Sequence, residues 1–263
     1  MQSDGMRRAQ LGLVHFSADR FVDGSPFGPR WELGAFRLLA DSRAAGEHVG
    51  GDFYAFEQRD DKRLTIVIGD ACGRGKEGAS LLPSVLPRYE ALARSGQGPA
   101  QLLGALNRGI SQEMPADRFV TGASFELDAG LGTLTVANAG HVPAILRSAS
   151  GEVRVIGRAS GPPLGILADC RYADERHRIG VGDVIVFMTD GILETVETDL
   201  ARMPTLTKLV ANAPRGGRGV HRHLLERVDG YAPELRRDDM TLLSLEVIRQ
   251  PRQPSEIHPT FTG

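Results

Sequence analysis

Short apolar runs of strand length and blocks of helical periodicity follow one another irregularly along the chain. Residues 64–68 (LTIVI) are apolar and β-branched and end at Gly69-Asp70, which reads as a buried strand. Residues 184–188 (VIVFM) read the same way and stop at Thr189-Asp190-Gly191. The runs 118–127, 131–137, 144–147 and 153–156 are also strand-like, with Asp128-Ala129-Gly130 as a hairpin-sized connection between the first two. A final strand is expected over 240–248 (MTLLSLEVI). Residues 99–114 place apolar side chains at 102, 103, 106 and 110 behind Pro99, which predicts an amphipathic helix. Residues 76–95 have helical composition, but Pro83 and Pro87 argue against one straight helix. A further helical region over about 199–230 is interrupted by Pro204 and by Pro214-Arg215-Gly216-Gly217.

Several strands in succession, with helices in blocks, exclude a regular βαβ repeat. The expected class is α+β, a layered domain with antiparallel sheets. Residues 1–35 read as a leader or short interaction segment, 36–248 as the domain and 249–263 as a proline-bearing tail.

Composition narrows the function classes. At 41% hydrophobic and 24% charged residues the chain is globular rather than disordered. A net charge of −2 and 6% aromatic content argue against a surface for duplex nucleic acid or for stacked bases, so no nucleic-acid partner is expected. Cys72 and Cys170 have neither a metal-ligand spacing nor the numbers for a disulfide framework, which fits a reducing compartment. The apolar stretch 11–16 is too short for a signal-peptide core, and 184–188 is far too short to span a bilayer. A soluble, cytoplasmic protein with no membrane partner is expected.

The candidate chemistry lies in acidic residues at strand edges. Asp52 sits in VGGDFY, Asp70 ends the strand 64–69, Asp190 ends the strand 184–189, and Asp238-Asp239 precede the strand 240–248. Each alone is a common turn residue. If the strand rims converge, three or four carboxylates share one small volume, and a divalent cation is the usual way to neutralise them. Oxygen-only ligands select Mg²⁺ or Mn²⁺ over zinc. Two such ions activate a bridging water for in-line attack on phosphorus, so phosphoester hydrolysis is the natural use.

The ordered motifs VGGDFY, IGDACGRG, FVT at 119–121, NAGH at 138–141, LG at 164–165, GDVIVFMTDGILE at 182–194 and DDMTLL from Asp238 carry a resemblance. Together they resemble the SpoIIE/RsbU-type branch of the metal-dependent (type 2C) protein serine/threonine phosphatases. The resemblance implies two stacked antiparallel β-sheets flanked by helices, with a two-ion Mn²⁺ or Mg²⁺ centre at one end. It implies Asp52 and Asp70 as the catalytic carboxylates, with Asp70 bridging the ions. It also implies the backbone carbonyl of Ala71 as a ligand, Asp190 and Asp238 on the second ion, and Asp239 in support. The chain departs from the family's usual GDVSGHG at Gly69-Asp70-Ala71-Cys72-Gly73-Arg74-Gly75, where Arg74 keeps a cation near the cleft, and Ala55 replaces a carboxylate. His141 is expected to support a turn rather than to donate a proton.

The function so implied is hydrolysis of phosphoserine or phosphothreonine on a regulatory phosphoprotein, of the kind that antagonises an anti-sigma factor. The leader is shorter than the sensor domains of the resembled branch, so regulation is expected from a partner or a separate chain. A non-catalytic module that docks a partner in the same cleft, and a two-metal nucleotide phosphodiesterase, are the competing readings. Retention of the carboxylates speaks against the first. The lack of a base-stacking or ribose-binding feature speaks against the second.

Overall fold

Gly34 makes the first turn of the fold. Its φ of +60° is a glycine conformation, and a Cβ there would lie 2.2 Å from the carbonyl oxygen of Asp61. The turn joins β1 (Arg30–Leu33) to β2 (Phe36–Arg43), so the first sheet begins inside the segment read as a leader. This is a computed structural model, and it describes residues 30–44, 50–196, 202–230 and 238–249. The remainder of the leader and all of the expected tail but Arg249 lie outside the described residues.

One sheet continues from β1 and β2 through β11 (Met240–Val247), β10 (Val184–Met188), β7 (Ala144–Arg147) and β8 (Val153–Ile156). The other has the order β3 (Asp52–Gln58), β4 (Arg63–Ala71), β5 (Val120–Asp128), β6 (Thr133–Ala139) and β9 (Glu175–Arg178). All pairings between these strands are antiparallel. The expected α+β architecture of two stacked sheets flanked by helices is what the chain forms.

Strand alternation builds the layers. In β4, Leu64, Ile66 and Ile68 point between the sheets, where they meet Phe125, Phe187, Leu243 and Leu245, while Val67 points outward. The rings of Phe125 and Phe187 meet edge to face across the sheets, with centroids 4.6 Å apart. The outward face of the β3–β9 sheet is covered by α2 (Leu82–Arg94) and α3 (Pro99–Ser111). The outward face of the other sheet is covered by α4 (Asp190–Val196), α5 (Arg202–Asn212) and α6 (Gly217–Asp229). The central strands are therefore buried on both faces, which is why 64–68 and 184–188 read as continuous apolar runs rather than alternating ones. Each fully buried large side chain contributes about 1.5–3 kcal/mol relative to exposure.

Several expectations shift in detail. Residues 76–95 do not form one straight helix, as expected, but the break falls at Ser80-Leu81, ahead of both prolines and after a single turn, α1 (Lys76–Ala79). Pro83 sits in the first turn of α2, where its missing N–H costs nothing, and Pro87 lies inside the helix on its exposed face. β6 starts at Thr133, because Asp128 accepts the N–H of Leu131 and holds an exposed turn where a strand was expected. β9 (ERHR) has no apolar residue and carries no strand signal. It forms as an edge strand on β6. No helix among the described residues is long and apolar enough to cross a membrane.

Candidate active site

The acidic residues meet at one end of the sandwich because of strand direction. Asp52 opens β3 and pairs with Asp70 near the end of β4. β10 ends at Met188 opposite Leu242, near the start of β11, so Thr189-Asp190 and Asp238-Asp239 emerge at the same end of the second sheet. Two expected boundaries are corrected here. Asp70 does not end its strand: β4 runs through Asp70 to Ala71, paired with Thr121 and Val120. Asp190 does not terminate a strand either. It opens α4, where a carboxylate is favoured by the partial positive charge of a helix N-terminus.

The two sheets are joined at this rim by hydrogen bonds. Asp52 is only 4% exposed, and its Oδ2 accepts the hydroxyls of Thr189 at 2.7 Å and Thr241 at 2.9 Å. The N–H of Thr241 donates to Thr189 Oγ1 at 2.8 Å. Asp239, also buried, accepts the N–H of Gly51 on its Oδ2 at 2.7 Å. The glycine pair is a steric requirement. A Cβ on Gly50 would lie 2.2 Å from Asp239 Oδ2, and one on Gly51 would lie 2.4 Å from the Ala71 carbonyl oxygen and 2.8 Å from Asp70 Oδ1. The N–H of Ala71 donates to the Gly51 carbonyl, so its backbone polar groups face this same edge of β4.

The electrostatics are those of crowded like charges. Burial, followed by the charges of Asp190, Asp238 and Asp239, pushes the Asp70 carboxyl up to about 8. Burial and the neighbouring Asp70 hold Asp52 well above the ordinary carboxylate range, against the lowering effect of the two threonine hydroxyls. Asp190, the exposed member, is raised by partial burial and by Asp238 and Glu194. Among the described residues, no lysine or arginine forms an ion pair with Asp52, Asp70, Asp190 or Asp238. The aspartates lie close enough along the rim to raise one another's pKa. Among the described residues, no three His, Cys, Asp or Glu side chains form a finished ligand cluster. In chemistry the set fits a hard divalent cation: it is oxygen-only and partly desolvated, and its carboxylates raise one another's pKa.

All six sequence candidates, Asp52, Asp70, Ala71, Asp190, Asp238 and Asp239, therefore lie along one rim. Thr189, Thr241 and the Gly50-Gly51 pair were not singled out by sequence. Their signal was adjacency, since Thr189 directly precedes Asp190 and Thr241 stands two residues after Asp239. Asn138 ties down the turn at His141, accepting its N–H and donating to its carbonyl. The His141 ring is buried, takes a hydrogen bond with Thr121 through Nδ1 at 2.9 Å, and is lowered to about 4 by burial, so it is neutral at pH 7. Arg74 is exposed, and Cys72 accepts the N–H of Phe119 on its sulfur. His221 in α6 is buried, with its Nδ1 3.0 Å from Ser244 Oγ.

Residues 60–248 match the family described as Stage II sporulation protein E (SpoIIE). The chain is 29% identical over 207 residues to phosphoserine phosphatase RsbU of Bacillus subtilis (strain 168), covering 76% of this chain and 60% of RsbU. It thus spans less than two thirds of that relative's length. The solved RsbU and RsbW domains of Rv1364c from Mycobacterium tuberculosis share the fold with a TM-score of 0.74 at 24% identity, covering 84% of this chain and 63% of that one. The catalytic domain of the serine/threonine protein phosphatase PstP, solved with two manganese ions, shares it with a TM-score of 0.59 at 16% identity, covering 81% and 99%.

Proposed function

The chain belongs to the SpoIIE family, and from that premise we propose that it is a metal-dependent protein serine/threonine phosphatase. The observation that carries this reading is the gathering of five aspartates from two sheets at one rim, with Asp70 raised to about 8 by burial and by its neighbours' charges. Such repulsion is retained where a cation offsets it. The residues that would hold Mn²⁺ or Mg²⁺ are Asp52, Asp70, the Ala71 carbonyl, Asp190, Asp238 and Asp239. When bound, two divalent ions supply a water acidic enough to attack phosphorus and neutralise the phosphoryl oxygens.

The chain's own residues supply the frame. Thr189 and Thr241 fix Asp52, Gly51 fixes Asp239, and the glycine pair lets two loops approach without a side chain between them. Preorganised oxygens of this kind do not need to reorient when charge develops on the phosphoryl group. Neutral His141 lies behind Thr121 and orients the strand beside Asp70 rather than moving a proton.

The substrate in this reading is phosphoserine or phosphothreonine on a regulatory phosphoprotein, an antagonist of an anti-sigma factor. The match to a phosphoserine phosphatase and the chain's lack of a basic surplus support it. The test is hydrolysis of an aryl phosphate and of a phosphorylated antagonist-type protein, before and after chelation and with Mn²⁺ or Mg²⁺ restored. Activity lost on chelation and recovered with the ion is the expected result. Full activity without metal overturns it. The intact phosphoprotein should exceed a peptide spanning its phosphosite in kcat/KM, because remote contacts are missing from the peptide. Faster hydrolysis of a nucleotide diester than of either would point to the phosphodiesterase reading.

A further inference from the structure

The carboxylate of Asp52 reaches from its own sheet to the other. Its backbone belongs to β3, yet both hydroxyls that reach it come from the other sheet, Thr189 just beyond β10 and Thr241 in β11. Both end on the same oxygen, Oδ2, at 2.7 and 2.9 Å. Behind them the hydroxyls are themselves fixed. Thr189 Oγ1 accepts the N–H of Thr241 at 2.8 Å, and Thr241 Oγ1 lies 2.9 Å from Ser42 Oγ in β2. Thr241 has one hydroxyl proton, and it is committed to Asp52, so Ser42 is the donor in that pair. The donors thus converge on Asp52, Ser42 through Thr241 from one side and Thr189 from the other, with Thr189, Thr241 and Asp52 buried.

We propose that Thr189 and Thr241 are positioning residues that commit Oδ2 of Asp52 to the opposite sheet, leaving Oδ1 alone to face a cation, directly or through a water. The proposal rests on the metal reading above. A carboxylate held in this way is a one-oxygen ligand. Mg²⁺-like ions, with near-octahedral demands, accept such ligands, whereas Ca²⁺ takes six to eight oxygens and often uses carboxylates bidentately. This hydrogen-bond network therefore sets ion preference as well as affinity. Partners behind metal ligands typically change affinity by about 10–100-fold when removed.

The test is a Mn²⁺ titration of the full chain, read by the electron paramagnetic resonance of free Mn²⁺, with Ca²⁺ as competitor. Thr189→Val and Thr241→Val are compared with Thr189→Ser and Thr241→Ser, each checked for folding by circular dichroism. The valine variants should bind Mn²⁺ at least about tenfold more weakly and lose discrimination against Ca²⁺. The serine variants should restore both. Wild-type Mn²⁺ affinity in folded valine variants overturns the proposal, and so does an equal fall for Mn²⁺ and Ca²⁺, which a general loosening of the rim would give. If Thr241→Val does not fold, Thr189→Val and Ser42→Ala probe the network from its two sides. Both must weaken Mn²⁺ binding, and wild-type affinity in either overturns it. A wild-type chain that binds no Mn²⁺ overturns the metal reading itself, which separates the two failures.

Discussion

Asp52 and Asp70 are direct cross-strand partners in the β3–β4 register, yet their carboxylates are held in opposite ways. Asp52 is buried and anchored by two hydroxyls from the other sheet. Asp70 is partly exposed and stands against the charges of Asp190, Asp238 and Asp239. One is placed by hydrogen bonds, while the other is left with charge to be neutralised.

Asp70→Asn should therefore separate activity from stability. Removing the central carboxylate should lower kcat/KM by on the order of 10²-fold or more, from the several kcal/mol that ions contribute to transition-state charge. The same change relieves repulsion in the metal-free protein. Its Tm without metal should rise, by about 2–4 °C for each kcal/mol of repulsion relieved in a chain of this size class. Assay and calorimetry on one preparation check both halves. A lower metal-free Tm would contradict the electrostatic account.

Asp190 and Asp239 should respond differently to alanine. Asp190 is exposed, so Asp190→Ala should leave unfolding free energy within about 0.5 kcal/mol while still costing activity. Asp239→Ala leaves the buried N–H of Gly51 without its partner, a cost of about 1–3 kcal/mol. Denaturant titration of the metal-free variants distinguishes them, and equal stabilities would show that the Gly51 contact contributes little.

Gly51→Ala should damage the site without touching a charged group. Its Cβ would lie 2.4 Å from a backbone oxygen that cannot swing aside and 2.8 Å from Asp70 Oδ1. Weaker Mn²⁺ binding and reduced turnover are expected, with the cost in stability that overpacking brings, about 1–3 kcal/mol. Wild-type activity in this variant would mean that the β3 and β4 rims leave room for a methyl group between them.

The pH dependence of stability has a defined sign at His221. Burial and the nearby Arg43 lower it from 6.5 to about 4, so between those values the unfolded chain binds more protons than the folded one. The stability of a neutral, buried His221 is present above pH 6.5 and is lost as the pH falls toward 4, at up to about 1.4 kcal/mol per pH unit. His141 is shifted in the same direction. His221→Gln, which keeps a partner for Ser244, should flatten the fall in unfolding free energy between pH 6.5 and 4.5 measured by urea titration. An unchanged slope would place the titrating groups elsewhere.

The sequence by itself determined the buried strands around 64–68, 184–188 and 240–248 and the identity of the acidic candidates, but no apolar run was read as β2 or β3. Runs such as 64–68 and 184–188 have too little polar content to lie anywhere but between covering layers, and the ordered motifs carried the family and with it the two-sheet fold. Local pattern did not carry β9, whose four polar residues form a strand only because β6 offers an unpaired edge. Nor did it carry α4, because Thr189-Asp190-Gly191 suits a turn and a helix start equally until the chain beyond is placed. The roles of Ser42, Thr189 and Thr241 were decided by tertiary structure alone. Thr189 and Thr241 reach Asp52 across 137 and 189 residues of sequence, and only the stacking of the two sheets brings their hydroxyls to one carboxylate oxygen. Residue type shows which groups are able to bind a cation, but hydrogen bonds between sheets fix which oxygen is left to do so, and those depend on contacts that no local stretch of sequence contains.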